Sequence, residues 1–206
     1  MNFEQVFGGL PTEWDGRDAI LELKSHDYNW RQMEWIGFYF QHLIRKNSFE
    51  SGFEMPGRRF VSGDFDGFFE SYDWDLKTHA SIDQHGRRNT ICILNDAATI
   101  DLALSQKGAV YIAVAEGVPR FDLDGDFQAW HEEIKGAPSQ YVLDGRSIGR
   151  SSRIRKSSFR LTSVNIYKIA GDSPLGIMRQ GRNSNGSPRP LKYTLDIAAI
   201  KPVAIL

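Results

Sequence analysis

The sequence predicts an α/β fold in which a mixed central sheet is flanked by helices. The chain has 206 residues, 41% of them hydrophobic and 12% aromatic, so it can bury one substantial core and is expected to form a single domain over residues 1–206. Two apolar runs of strand length, residues 90–94 and 109–115, enclose a segment with helical features. This strand, helix, strand order follows a region with hairpin character, and the combination is typical of one α/β unit.

Helices are expected in the part of the chain that precedes the hairpin. Residues 18–24 predict a short helix, and residues 28–46 carry the strongest helical signal in the sequence, because apolar positions recur at steps of three and four. Those positions are Trp30, Met33, Ile36, Gly37, Phe40, Leu43 and Ile44. Glu34 lies at the margin of this apolar stripe, so its carboxylate can either face the hairpin or pair with a basic neighbour in solvent.

A later helix is expected between the two apolar runs. Asn95 and Asp96 can cap its start, and Gly108 can end it. Residues 109–115 then form a central strand, because an unbroken apolar run is typical of a strand that is buried on both faces. Residues 127–135 predict a further short helix.

The hairpin is expected to join residues 59–69 to residues 72–80. Asp-Gly is a common turn dipeptide, and acidic residues near turns are ordinarily solvated. That is the expectation for Asp64, Glu70 and Asp73, which we predict to be surface residues.

A different expectation applies to the charged residues of the second hairpin strand. A strand places residues i and i+2 on the same face, so Asp75 and Lys77 project together, while Trp74 and Leu76 form the opposite, buried face. The hairpin can bring Asp66 beside Asp75 and Lys77. Two carboxylates and an ammonium group would then converge, and hard oxygen ligands of this kind suit Mg²⁺ or Mn²⁺.

The same residues resemble a known motif. Asp66, eight intervening residues and then Asp75-Leu76-Lys77 are similar to the signature of the PD-(D/E)xK nuclease superfamily, which includes many type II restriction endonucleases. That family has an acidic residue at the start of one core strand and an acid-x-Lys on the next. Phe65-Asp66-Gly67 stands in this chain where the family pattern has Pro-Asp. The resemblance covers about twenty residues directly.

The resemblance implies a fold, a reaction and a set of site residues. The fold would be restriction-endonuclease-like, and the activity would be Mg²⁺- or Mn²⁺-dependent hydrolysis of DNA phosphodiester bonds, leaving a 3′ hydroxyl and a 5′ phosphate. Asp66 and Asp75 would bind the ion, the Leu76 carbonyl would be a further ligand, and Lys77 would position the attacking water. Glu34 would be an additional ligand, because the superfamily often places a glutamate on the helix before the core hairpin.

The charge distribution indicates a candidate DNA-facing region. Residues 1–143 carry 13 Lys and Arg against 23 Asp and Glu, whereas residues 144–192 carry 11 basic residues against 2 acidic ones. Such a concentration favours a polyanionic partner, although pairing with the acidic part of the same chain is a competing interpretation. Arginine and lysine contact phosphates, and asparagine can pair with adenine. The candidate DNA-binding residues are Arg153, Arg155, Lys156, Arg179, Arg182, Asn183, Asn185, Arg189 and Lys192.

Several other chemistries are disfavoured by the sequence. There is no phosphate-binding loop motif of the nucleoside triphosphatases and no zinc-ligand spacing. The single cysteine, Cys92, lies in an apolar run and is expected to be a small buried side chain rather than a nucleophile. Two alternatives stay open. One is a non-catalytic nucleic-acid-binding or partner-binding protein, and the other is a small carbohydrate- or phosphoester-active enzyme that uses paired carboxylates.

Partners and location follow from the same features. With one cysteine and no apolar stretch near the length of about 20 residues that spans a bilayer, the expectation is a cytoplasmic protein without a membrane partner. DNA is the expected partner. A site-specific restriction enzyme would also form a homodimer, because two-fold symmetry suits cutting both strands of a palindrome.

Overall fold

The computed structural model describes residues 2–55, 65–138, 140–149, 153–182 and 186–206. The helices of these residues are α1 (Phe3–Phe7), α2 (Gly16–Ser25), α3 (Trp35–Ser51), α4 (Ala97–Lys107), α5 (Asp126–Ile134) and α6 (Gln140–Ser147). The strands are β1 (Glu13–Asp15), β2 (Gly67–Phe69), β3 (Tyr72–Ala80), β4 (Ile91–Asp96), β5 (Val110–Phe121), β6 (Lys156–Ile169), β7 (Gly176–Met178), β8 (Lys192–Asp196) and β9 (Ala204–Ile205). Within these described ranges, no helix combines the length and the hydropathy needed to cross a bilayer.

The larger sheet is mixed, which confirms the predicted α/β class. Among the described residues its strands follow the order β1, β6, β5, β3, β2, and β9 also pairs with β6. Strands β3 and β5 are parallel, and the other pairs in this sheet are antiparallel. Parallel neighbours need a crossover connection, and here the connection contains β4 and α4.

The larger sheet is covered on both faces. On β5, Tyr111 and Ala113 belong to a core shared with α1, α2 and α3, whereas Ile112 and Val114 belong to a second core. The second core is closed by α4 and by a smaller antiparallel sheet of order β4, β8, β7. Burial on both faces explains why the sequence of β5 is apolar throughout rather than alternating.

Two boundaries differ from the sequence-based expectation. Helix α3 begins at Trp35 and not near residue 28, because Asp27 and Asn29 adopt left-handed backbone conformations, with φ of 51° and 44°, that a helix cannot include. Tyr28 and Trp30 are nevertheless buried. The apolar spacing at these two positions therefore reflects a buried turn and not a helix. Strand β5 also continues to Phe121, beyond the expected strand over residues 109–115.

Candidate metal centre

A tight hairpin turn brings the two ends of the motif together. Glu70 and Ser71 both have positive φ, 46° and 72°, which is the backbone conformation of a two-residue hairpin loop whose twist matches that of its strands. The loop pairs Gly67 with Trp74, so the next pair of positions in this register is Asp66 and Asp75. Residues 59–64 of the expected first strand lie outside the described residues.

Packing against the hairpin fixes where the Asp66 backbone lies. A Cβ atom added at Gly67 would come within 2.3 Å of the Phe53 ring, so only glycine allows this close approach. The Asp66 amide donates a hydrogen bond to the Trp74 carbonyl at 2.9 Å. Asp66 is therefore held at the point where β2 stops covering β3.

The Asp66 carboxylate is oriented by β3 and by α3. Its Oδ2 accepts a hydrogen bond from the Leu76 amide at 2.8 Å, and its Oδ1 accepts one from Gln41 Nε2 at 2.7 Å. Gln41 is itself fixed, because Tyr28 donates its hydroxyl to Gln41 Oε1 at 2.8 Å. The series Tyr28, Gln41, Asp66 thus couples the turn before α3 to the β2–β3 hairpin.

Asp75 and Lys77 project to the other face of β3, toward the second core. The Asp75 side chain is 1% exposed and its Oδ1 contacts Lys77 Nζ, while the Lys77 side chain stays 26% exposed. Within the part of the chain that the structure describes, Asp75 Oδ2 is buried and has no hydrogen-bond partner. Buried polar atoms are normally satisfied, so this oxygen is a candidate ligand position.

The three charged groups perturb one another's protonation. Burial raises the pKa of Asp66, and the adjacent Asp75 carboxylate raises it further, while the Lys77 ammonium and the Leu76 amide oppose the rise. Burial would lower the pKa of Lys77, but Asp75 and Asp66 outweigh burial and raise it. Two carboxylates this close favour either a shared proton or a cation between them.

The backbone supplies a further oxygen at the same place. In an extended strand the N–H and C=O groups of one residue point to the same side. The Leu76 amide points away from β5, to the edge where Asp66 lies and where β2 has already ended. The Leu76 carbonyl therefore points to this edge as well, as the resemblance requires of a ligand.

These oxygen donors fit a hard divalent cation. Two carboxylates and a carbonyl leave room for the several waters that Mg²⁺ usually keeps. Among the described residues, no cluster of three or more His, Cys, Asp or Glu side chains could hold a metal, so the acidic ligands here are limited to the Asp66 and Asp75 pair. Cys92 faces this region from β4, but burial raises the pKa of its thiol to about 12, which keeps it protonated.

Gln41, rather than Glu34, is the α3 side chain that reaches Asp66. Glu34 occupies the N-cap position of α3 without a side-chain capping hydrogen bond, is exposed and lines a separate cavity. The two positions are seven residues apart, which corresponds to about 10 Å along a helix. The structure therefore brings Gln41, and not Glu34, into hydrogen-bond contact with the Asp66 carboxylate. The sequence feature that could have identified Gln41 is its position next to Phe40, within the apolar stripe of the predicted helix.

Arg155 also differs from its expected role. It was expected to face DNA, but it is 6% exposed and lies in the interior between β6 and α5. Its Nη1 lies 2.9 Å from His131 Nδ1, and its Nη2 lies 3.4 Å from Glu132 Oε1. A buried arginine needs such partners, so this guanidinium ties the two elements together and is not a surface contact.

The other candidate DNA-binding residues lie in two places. Arg153 and Lys156 line the cavity that also contains Glu34. Arg179, Arg182 and Arg189 are exposed on the segment that joins β7 to β8, and Lys192 at the base of that segment pairs with Asp96 at 3.1 Å. The expected contacts Asn183 and Asn185 fall outside the described residues.

Two carboxylates, a backbone carbonyl and a lysine ammonium lie together at an edge of β3 that no described strand pairs. Such an arrangement can stabilise negative charge on a phosphoryl group. No protein-family model, curated protein or solved structure matches the chain.

Proposed function

We propose that the protein is a Mg²⁺- or Mn²⁺-dependent endodeoxyribonuclease with a restriction-endonuclease-like core. One observation carries the proposal: Asp66, Asp75 and Lys77 meet at one edge of β3, where a buried Asp75 oxygen has no hydrogen-bond partner among the described residues. The topology is compatible with such a core, because the hairpin that bears the motif is followed by a helical crossover to a parallel strand.

The chain would bind the ion through oxygen atoms already fixed in place. Asp66 and Asp75 would supply carboxylate ligands, and the Leu76 carbonyl would supply a third. When bound, the ion would polarise the phosphoryl group and lower the pKa of its water. Gln41 and the Leu76 amide hold the Asp66 carboxylate in one orientation, so little reorganisation is needed when a ligand arrives.

Lys77 would act on the attacking water and on the charge that develops at phosphorus. Its raised pKa keeps it an ammonium group at neutral pH, so it donates hydrogen bonds and does not accept a proton. Its contact with Asp75 restrains the end of a flexible side chain, and its partial exposure leaves it accessible to substrate. A preorganised donor of this kind typically contributes a factor of about 100 to 1,000 in rate.

Cleavage of plasmid DNA tests the proposal. We expect wild-type protein to cut supercoiled plasmid in Mg²⁺ or Mn²⁺ and not in EDTA. Asp75→Asn and Lys77→Met should each lower the initial rate by about 100-fold or more, because one removes a ligand charge and the other removes the donor. Far-ultraviolet circular dichroism of both variants should match the wild type.

Asp73→Asn is the matched control. Asp73 lies on the same strand, but it pairs with Lys107 at 2.6 Å and is not part of the cluster. Its variant should retain cleavage close to the wild-type rate. Cleavage that persists in EDTA, or that survives both Asp75→Asn and Lys77→Met, would contradict the proposal. Metal-independent DNA binding without any cleavage would instead favour a non-catalytic binding protein.

A further inference from the structure

A cavity of about 610 Å³ lies beside the open edge of β3. It is formed by the start of α3, the end of β3, the connection that follows β3, and the start of β6. Thr78 lines it from β3, and Lys156 and Arg153 line it from the opposite side. The cavity is distinct from the Asp66 and Asp75 pair, neither of which lines it.

The cavity continues the strand edge on which the metal ligands lie. Thr78 follows Leu76 by two residues, a distance of about 7 Å along a strand. Alternate residues of a strand point their backbone groups to the same side, so Leu76 and Thr78 share the edge that no strand of the described ranges covers. A chain bound at the Leu76 carbonyl would therefore run directly into the cavity.

The charges of the cavity favour an anion. Among its described lining residues, Arg87 is paired with Asp83 at 2.6 Å and Arg155 with Glu132 at 3.4 Å. Lys156 and Arg153 line the cavity together with the Glu34 carboxylate. Burial lowers the pKa of Lys156, and Arg153 lowers it further, while Glu34 opposes both. A partly buried ammonium next to a guanidinium gains from an incoming negative charge.

Gly37 gives an independent indication that something approaches α3 at this point. Gly37 is the third residue of α3, and glycine is a poorer helix former than alanine. A Cβ atom added at Gly37 would lie 3.8 Å from Thr78 Oγ1, which is an ordinary contact, so packing does not require glycine here. Close approach of a ligand to the helix backbone would require glycine at this position.

We propose that this cavity holds the DNA phosphodiester chain next to the bond that is cut, with Lys156 and Arg153 contacting its phosphate and Gly37 leaving room for it. The inference rests on the proposed nuclease function and adds the path of the substrate. It assigns the cavity to substrate binding and not to chemistry.

Duplex DNA binding at several salt concentrations tests the phosphate contact. The probe is a fluorescein-labelled duplex oligonucleotide, with Ca²⁺ in place of Mg²⁺ and fluorescence anisotropy as the readout. Lys156→Gln should raise the Kd several-fold and reduce the slope of log K against log salt by about one, because one phosphate contact is lost. Lys168→Gln is the matched control, since Lys168 is exposed at the opposite end of β6, and it should leave both quantities unchanged.

A second variant tests whether the space beside Gly37 is needed, without changing the charge of the cavity. Gly37→Met should extend into the cavity and lower kcat/KM for plasmid cleavage by about tenfold or more. Its Tm should not fall, because methionine is the better helix former. Gly37→Ala adds a single carbon at the same place, so it should lower kcat/KM in the same direction by a smaller factor.

The outcomes separate this inference from the proposed function. Unchanged Kd, salt slope and cleavage in both Lys156→Gln and Gly37→Met, alongside loss of cleavage in Asp75→Asn, would overturn the cavity inference and leave the nuclease proposal standing. Wild-type protein that binds duplex through Lys156 but never cuts it would overturn the nuclease proposal alone.

Discussion

At the scale of single residues, Gln41 determines how the Asp66 carboxylate is presented. Gln41→Leu removes the 2.7 Å hydrogen bond to Asp66 Oδ1 while keeping a buried side chain of similar size. We expect the Mg²⁺ concentration for half-maximal cleavage to rise about 10- to 100-fold, the usual effect of losing a group that orients a metal ligand. The rate at saturating Mg²⁺ should fall much less.

Tyr28→Phe tests the same series of hydrogen bonds with a smaller change. It removes only the hydroxyl that donates to Gln41, so the shift in Mg²⁺ requirement should have the same direction and a smaller size. Metal titrations of Gln41→Leu that superimpose on the wild type would show that the amide does not position Asp66.

The charged residues of β3 were predictable because the rule that relates them is local. Strand alternation places Asp75 and Lys77 on one face from their spacing alone. Gln41 and Asp66 are 25 residues apart, and Arg155 and His131 are 24 apart, so no local pattern relates them. A buried amide or guanidinium becomes recognisable only when tertiary packing supplies its partner.

At the scale of elements, His131 connects α5 to the turn before α3 and to β6. Its Nε2 donates to the Trp30 carbonyl at 2.8 Å, which leaves Nδ1 to accept from Arg155. Burial lowers the pKa of His131 to about 4, and the nearby Lys135 and Arg155 charges contribute, so the folded protein holds the neutral ring. Protonation would place a second cation against Arg155.

The lowered pKa of His131 predicts that the folded protein loses stability as the pH falls. Because the folded pKa lies below the unfolded value of about 6.5, the stability that His131 provides is complete above pH 6.5 and is lost as the pH falls toward 4. Over that window the free energy of unfolding should drop by about 3 kcal/mol from this residue. Urea unfolding at several pH values measures the change.

His131→Gln provides the control for the pH measurement. Glutamine can donate to the Trp30 carbonyl and accept from Arg155 without titrating, so its unfolding free energy should vary less between pH 6.5 and 4. Equal pH dependence in both proteins would assign the acid sensitivity to another group.

The segment that joins β7 to β8 is a candidate DNA-contacting element because of its exposed arginines. Arg179, Arg182 and Arg189 are exposed on it, and the sequence from residue 173 to residue 195 contains no acidic residue. Replacing all three by alanine should reduce the salt slope of duplex binding by about 2.7, or 0.9 for each phosphate contact. Cleavage at saturating DNA should change little, and an unaltered salt slope would exclude this segment from the DNA interface.

At the scale of the whole molecule, the sequence predicted the class of the larger sheet but not the smaller one. The hairpin strand β3 and the helix α4 follow from local alternation and capping signals, and they lie where expected. The β4, β8, β7 sheet pairs Cys92 with Leu195, residues about a hundred positions apart. Register between strands so distant depends on the packing of the second core, which a single sequence does not reveal.

The two cores together explain why the site lies at an edge and not inside the sheet. Strand β3 is paired with β5 from Trp74 to Ala80, while β2 covers only its first part, so no described strand pairs with the other side of its second half. Trp74 and Leu76 anchor β3 in the first core, and Asp75 and Lys77 face the second. The strand is therefore buried on both faces while, among the described residues, one backbone edge stays unpaired.

The central claim is that Asp66, Asp75 and the Leu76 carbonyl together bind one cation. Anomalous diffraction at the manganese absorption edge, from crystals of the protein grown with Mn²⁺, measures this directly. The account predicts a single strong peak in contact with both carboxylates and the carbonyl, with Lys77 beside it and Glu34 apart from it. Full Mn²⁺ occupancy elsewhere on the protein, with no peak between Asp66 and Asp75, would contradict it.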